Sequence, residues 1–260
     1  NSPNNFFNSS IYTPVLDENN NLVDNPRNPF LENSTGIDIA MWNVPNPDNS
    51  IIANGQTSTT FRYGSNEDTY NIYTIAFAVD AYVPEIQGFN QVEAINGETP
   101  GTELTAQPGQ EIAYSLEIKN LGTEHVQDGK VIIPIPFTAT FVSARHEIYF
   151  EPTTAKAPYF DPNLGATGAI VWELGELPLA EDLNTVLAKL FYTLKTTEDC
   201  FILSEVDCDP FVSVNGLISG KGGVSQTPFD GISLTQGFLD GACAGEPIQE
   251  AIVVKISGAS

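Results

Sequence analysis

Most hydrophobic stretches of this chain alternate with polar residues at a period of two. Ile112, Tyr114, Leu116 and Ile118 fall on one side of such a run, and Ala113, Ser115, Glu117 and Lys119 on the other. This pattern predicts a half-buried antiparallel strand. Val131, Ile133 and Ile135 predict another, and Pro134 and Pro136 mark it as an edge or a bend. Ala169–Leu174 and Val186–Leu194 read the same way. Upstream, Tyr70, Ile72 and Thr74 alternate with Asn71, Tyr73 and Ile75, lead into the apolar run Ile75–Val79, and close at Val83-Pro84. Helix-like spacing is confined to the ambiguous region Leu179–Leu190. Eighteen Pro and 21 Gly break most other helical windows.

Turn chemistry falls between these runs. Asn54-Gly55, Asn96-Gly97, Asp128-Gly129 and Asn215-Gly216 each supply residues that tolerate the positive φ of tight hairpins. Short strands joined by such turns predict an all-β chain, an antiparallel Ig-like β-sandwich. A boundary is expected near Val83–Gln87. Residues 1–85 are rich in Asn, Asp, Ser and Pro and too thin in strands to close a sheet pair alone. They read as part of a second β-sandwich-type domain. Residues 86–196 form the Ig-like sandwich, and 197–260 a cysteine-bearing β extension packed on it.

Composition narrows the function classes. Hydrophobic residues make up 41% of the 260, enough for a core. Ten Lys plus Arg against 33 Asp plus Glu give a formal charge of -23. Such a surface repels phosphates, so neither nucleic acid nor an anionic membrane is an expected partner. No apolar stretch approaches the ~18 residues of a membrane-spanning helix, so direct membrane insertion is not expected either. The chain opens Asn1-Ser2-Pro3-Asn4 without Met, which reads as a processed chain or an excised fragment.

The run Pro108-Gly109-Gln110-Glu111-Ile112-Ala113-Tyr114-Ser115-Leu116-Glu117-Ile118-Lys119-Asn120-Leu121-Gly122 resembles the opening of the bacterial conserved-repeat Ig-like domain (DUF-eleven). Val171-Trp172-Glu173-Leu174-Gly175-Glu176-Leu177 resembles its second signature. The likeness covers about residues 86–196. Upstream, Gly36-Ile37-Asp38-Ile39 and Ala78-Val79-Asp80-Ala81-Tyr82-Val83-Pro84 resemble the segment that precedes this repeat in giant surface proteins. Downstream, Asp199-Cys200, Cys208 and Gly241-Ala242-Cys243 are similar to cysteine-bearing extensions of exported Bacteroidota surface proteins. The resemblance implies a repeated module of adhesins and long surface proteins, with no catalytic residues to carry over. Ig-like adhesins sometimes carry Lys–Asn or Lys–Asp isopeptide links, and Lys119, Lys130 and Lys189 lie on or beside predicted strands. On the residues alone, Trp172 is a core anchor, and Tyr114 places its ring in the core and its hydroxyl at the rim.

Candidate chemistry is sparse. His125 lies in a turn-rich stretch and His146 at a strand edge, neither beside a triad element. Gly220-Lys221-Gly222-Gly223 lacks phosphate-loop spacing and reads as a flexible loop. Asp17, Asn19 and Asn21 put oxygen side chains at alternate positions with Asp24 beyond, which partly resembles a calcium loop. Calcium is therefore the candidate cofactor, and an Asn-rich hairpin tip without metal is the alternative. In an exported chain Cys200 and Cys208 pair as a disulfide around a short loop, or Cys208 pairs with Cys243. The expected function is a non-catalytic structural or adhesive module of a large secreted cell-surface protein. Its expected partners are other domains of the same long chain and a surface glycan or protein ligand. The alternative is a carbohydrate- or other ligand-binding sandwich using Trp42, Tyr63, Tyr70 and Tyr73.

Overall fold

The computed structural model describes residues 11–12, 15–18, 22–23, 36–41, 44–53, 55–64, 69–79, 81–180, 182–204 and 210–257. The chain forms two compact units, Asn1–Gly64 and Ser65–Ser260. In the first, β1 (Ile11–Tyr12) pairs in parallel with β4 (Ile39–Ala40), and β2 (Val15–Leu16) pairs antiparallel with β3 (Leu22–Val23). A 3₁₀ turn at Pro47–Asn49 is tied by Asn46, whose side chain accepts from the amides of Ile51 and Ile52 at 2.9 and 3.0 Å. In this unit Ile37, Ile39, Met41 and Ile51 are exposed.

The second unit carries β5 (Ile86–Ile95), β6 (Thr105–Ala106), β7 (Glu111–Asn120), β8 (Val126–Pro134), β9 (Ala139–Ile148), β10 (Tyr159–Asp161), β11 (Ala169–Leu177) and β12 (Ala188–Thr196). After a single helical turn, α1 (Cys200–Leu203), follow β13 (Phe211–Val214), β14 (Leu217–Gly222), β15 (Pro228–Ser233), β16 (Gly237–Phe238), β17 (Pro247–Ile248) and β18 (Ile252–Ile256). A four-stranded sheet runs β5-β7-β12-β9 and a five-stranded sheet β10-β11-β8-β14-β15. Every pairing within these two sheets is antiparallel. A third sheet, β13-β18-β6, adds Val212, Val254, Ile256 and Ala106 to the same core. The chain is thus an all-β sandwich in its second unit.

Alternation positions the core as the sequence predicts. Along β12 every second residue, from Ala188 to Thr196, is buried, and its partner β7 buries Ile112, Tyr114, Leu116 and Ile118. Trp172 is fully buried from the facing sheet, with the His146 ring 5.8 Å away. Asn96 and Gly97 both take positive φ, and Ile95 and Glu98 exchange amide–carbonyl bonds of 2.9 and 3.0 Å across them. This is the expected two-residue hairpin.

Several expectations are corrected. Tyr114 stacks on Tyr192, with ring centroids 4.8 Å apart, and its hydroxyl is buried without a hydrogen-bond partner, not set at the rim. Asp128-Gly129 is no hairpin. It is a bulge inside β8, facing Gly175, with φ of 55° at Asp128. β8 is also central rather than an edge. Pro134 is tolerated because the β14 ladder stops at Ile132, so its missing N–H breaks no pairing on that side. Asn215-Gly216 passes the chain from β13 in one sheet to β14 in another. Gly220–Gly222 is strand, not flexible loop. A Cβ on Gly222 would lie 2.2 Å from Glu124 Oε1, and one on Gly223 1.9 Å from His125 Nε2. Glycine at both positions leaves room for the Glu124 and His125 side chains.

Candidate functional site

The outer face of the four-stranded sheet gathers a cluster of bonded polar side chains. Because residues alternate, Lys189, Phe191 and Thr193 of β12 point outward, opposite Glu117, Ser115 and Ala113 of β7 and Glu147, Arg145 and Ser143 of β9. β5 carries a bulge at Glu93, between the pairs Val92↔Tyr114 and Ala94↔Ala113. The bulge re-aims this carboxylate across the sheet.

Hydrogen bonds tie these side chains together. Ser115 Oγ and Gln91 Nε2 (2.8 Å) both donate to Glu93 Oε1. Those bonds, first Ser115 and then Gln91, hold the Glu93 carboxyl below its usual range. Lys189 Nζ meets Glu117 Oε1 at 2.7 Å, and this bond raises the lysine's pKa. The Arg145 guanidinium lies 3.8 Å from the centroid of the Phe191 ring and also contacts Glu147 Oε1 at 2.5 Å. Tyr149 donates to the other oxygen of Glu147 at 2.8 Å. Between them lies an open depression of about 270 Å³ floored by Phe191 and Ala113, with Glu93 and Arg145 on its rim.

This arrangement can bind but is poorly built to react. A general base works best with a pKa near the working pH. Glu93, the acid beside Ser115, is held the other way. Neither His125 nor His146 takes a side-chain hydrogen bond from a nucleophile among the described residues, and no group of three or more metal-ligating side chains occurs among them. The Phe191 face is already covered by Arg145, so a sugar ring could stack there only by displacing the guanidinium.

Of the calcium set, only Asp17 lies within the described residues, half-buried just after β2. Asn19, Asn21 and Asp24 lie outside them. Cys200 and Cys243 are exposed free thiols, and Cys208 also lies outside the described residues. Trp42 does too. Tyr63 belongs to the first unit, Tyr70 and Tyr73 to the second. Lys189 is ion-paired to Glu117. Sequence reasoning passed over Arg145, Phe191 and Glu93. The alternation of β12 marked Phe191 as outward, but its pairing with β9 is visible only in the register.

No protein-family model and no curated protein matches the chain, so the conserved-repeat resemblance has no family match behind it. Solved structures similar to part of the chain include the full-length major pilin SpaD from Corynebacterium diphtheriae, at 12% identity and a TM-score of 0.34, covering 63% of this chain and 39% of that one. The major pilin subunit BcpA of Bacillus cereus is similar at 8% identity and a TM-score of 0.35, covering 66% and 56%. The collagen-binding domain of a Staphylococcus aureus adhesin is similar at 8% identity and a TM-score of 0.34, covering 60% and 96%. The matched region spans less than two thirds of both pilin chains.

Proposed function

We propose that this chain is a non-catalytic structural and adhesive module of a large secreted cell-surface protein. The observation that supports this reading is the division of labour in the second unit. Its interior is a continuous apolar core, and its charged side chains lie outside it, many of them as bonded pairs around shallow, open surface such as the depression at Phe191. Other domains of the same long chain are its neighbours, and a protein surface is the ligand class that best suits a shallow face with one arginine–aromatic pair. Calcium at Asp17, Asn19, Asn21 and Asp24 belongs to this proposal as an aid to order outside the sandwich.

Display of the full chain on a non-adherent cell tests it, with adhesion to immobilised extracellular proteins and glycans measured beside hydrolysis of the same polymers. Adhesion without turnover is expected, and it should weaken in Arg145→Ala/Phe191→Ala. Turnover that His125→Ala or His146→Ala abolishes would overturn the reading. A carbohydrate-binding role predicts glycan adhesion that survives Arg145→Ala and falls in Tyr73→Ala, whose ring is 92% exposed.

A further inference from the structure

One margin of the four-stranded sheet is the ten-residue strand β9, which pairs with β12 alone among the described strands. Past its bulge at Val142 the strand is regular. Ser143, Arg145 and Glu147 face outward, while Ala144, His146 and Ile148 face the core but stay half-buried. Ala144 and Ile148 pack against the apolar core, so its cover is incomplete along this margin.

The main chain of β9 has a definite phase. Tyr149, the next residue after the strand, donates its amide to the Leu187 carbonyl at 2.9 Å, on the β12 side. Successive peptide groups point to opposite sides of a strand, so Glu147 and Arg145 also turn theirs toward β12. The N–H and C=O groups of Ala144, His146 and Ile148 therefore line the margin. Natural sheet edges are commonly blunted with proline or lysine, and β9 has neither.

We propose that β9 pairs with β9 of a second copy of this chain, antiparallel about a two-fold axis at His146. Side-chain direction and charge select the register. An axis between two residues would set outward side chains opposite inward ones, so it passes through a residue. At Arg145 it would oppose arginine to arginine, and at Glu147 glutamate to glutamate. At Ala144 it sets Arg145 against Ser143 and gains no charge pairing. At His146 it sets Arg145 opposite the second copy's Glu147, and Glu147 opposite the second copy's Arg145.

The main chain agrees with that axis. His146 then exchanges both of its outward backbone groups with the second copy's His146, and Ala144 does so with Ile148. Arg145 and Glu147 fall at the non-hydrogen-bonded positions, where opposed side chains come closest. Neither has to leave its present contacts. Arg145 gives one hydrogen bond to Glu147, which takes one more from Tyr149, and both groups have capacity beyond that. Two copies of net charge -23 repel, but Arg145 and Glu147 together leave this strand neutral. Because the two surfaces are identical, the contact closes at two copies. This goes beyond the adhesive reading and does not depend on it.

Sedimentation velocity on the full 260-residue chain over a range of concentrations tests the pairing. Salt at about 0.15 M screens repulsion beyond ~8 Å. Reductant keeps the exposed Cys200 and Cys243 from linking copies. The unaltered chain should pass from monomer to dimer and go no further. Arg145→Glu alone, or Glu147→Arg alone, should self-associate at least ~10-fold more weakly, because like charges then face each other twice. An equimolar mixture of the two should dimerise again, since every arginine at the seam meets a glutamate of the other chain. The double variant Arg145→Glu/Glu147→Arg should dimerise with itself. Circular dichroism should be unchanged in every variant. An unaltered chain that stays monomeric throughout would overturn the proposal. So would association that both reversals leave intact, or reversed chains that recover neither on mixing nor in the double variant.

Discussion

The two margins of the four-stranded sheet are finished in opposite ways. At β5 the edge is covered. Asn90 donates its amide to the carbonyl of Thr235 at 2.7 Å, and Thr235 returns an amide to Gly88 at the same distance. The side chains behind that seam are buried, and Tyr192 reaches through the core to donate to Asn90 Oδ1 at 3.1 Å. At β9 nothing comparable closes the edge among the described residues, and the bordering side chains are half exposed. A sandwich needs its core sealed but not both of its sides. Where packing is tight the residues are fixed by geometry, and where it is loose they are available for contact.

Substitutions can break that contrast. The largest effect is expected for Gly88→Val, because even a Cβ there would lie 2.6 Å from Ile218 Cδ1 and 2.9 Å from Leu234 Cδ2. Overpacking of this kind costs about 3 kcal/mol, read from urea unfolding of the second unit. Glu124→Ala should come next. This buried carboxylate accepts from the amides of Val224 and Ser225 at 2.7 and 2.8 Å and from Ser225 Oγ at 2.6 Å. Orphaning those donors costs about 2–3 kcal/mol.

Glu124 also links stability to pH. Burial pushes its carboxyl up, but the Ser225 and Val224 donors outweigh that and hold it below the ordinary 4.5. A folded pKa lower than the unfolded one adds stability that is fully present above about 4.5. That stability is lost as pH falls through the folded value. Glu124→Gln should flatten this acid limb of the melting temperature against pH, and an unchanged limb would refute the assignment.

The stacked tyrosines sharpen the comparison further. Tyr192→Phe removes a buried bond and leaves Asn90 Oδ1 without its donor, so about 1–2 kcal/mol should be lost. Tyr114→Phe removes a hydroxyl that has no partner, and its melting temperature should stay level or rise. Burial pushes both phenols upward, so neither ionises in the folded protein near neutral pH. At the open margin, Arg145→Ala removes an exposed ion pair and one cation–π contact. Its stability cost should stay below about 1 kcal/mol.

Much of the sandwich was legible in the residues themselves. The β7 alternation from Ile112 to Ile118 and the Asn96-Gly97 hairpin are local signals, and Trp172 behaves as its apolar neighbours suggest. Other signals misled because the same residues serve several local structures. Asp128-Gly129 has the chemistry of a hairpin turn and makes a bulge, since positive φ satisfies either one. Residues 71–79 have the composition of a strand, yet a strand exists only when a partner supplies the other half of its hydrogen bonds. The outer-face cluster was hidden for a related reason. Glu93, Ser115, Arg145 and Phe191 come from four strands, and no spacing along the chain brings them near one another.

By itself the sequence determined which residues turn inward along each strand, because side-chain direction has a fixed period of two. It also determined the all-β class and the strongly negative surface. The tertiary structure alone decided that β14 lies beside β8, that Thr235 seals β5, and that β9 pairs with β12 alone among the described strands. Strand order depends on contacts between residues far apart in the chain, and those are set by the packing of the whole core rather than by any local pattern.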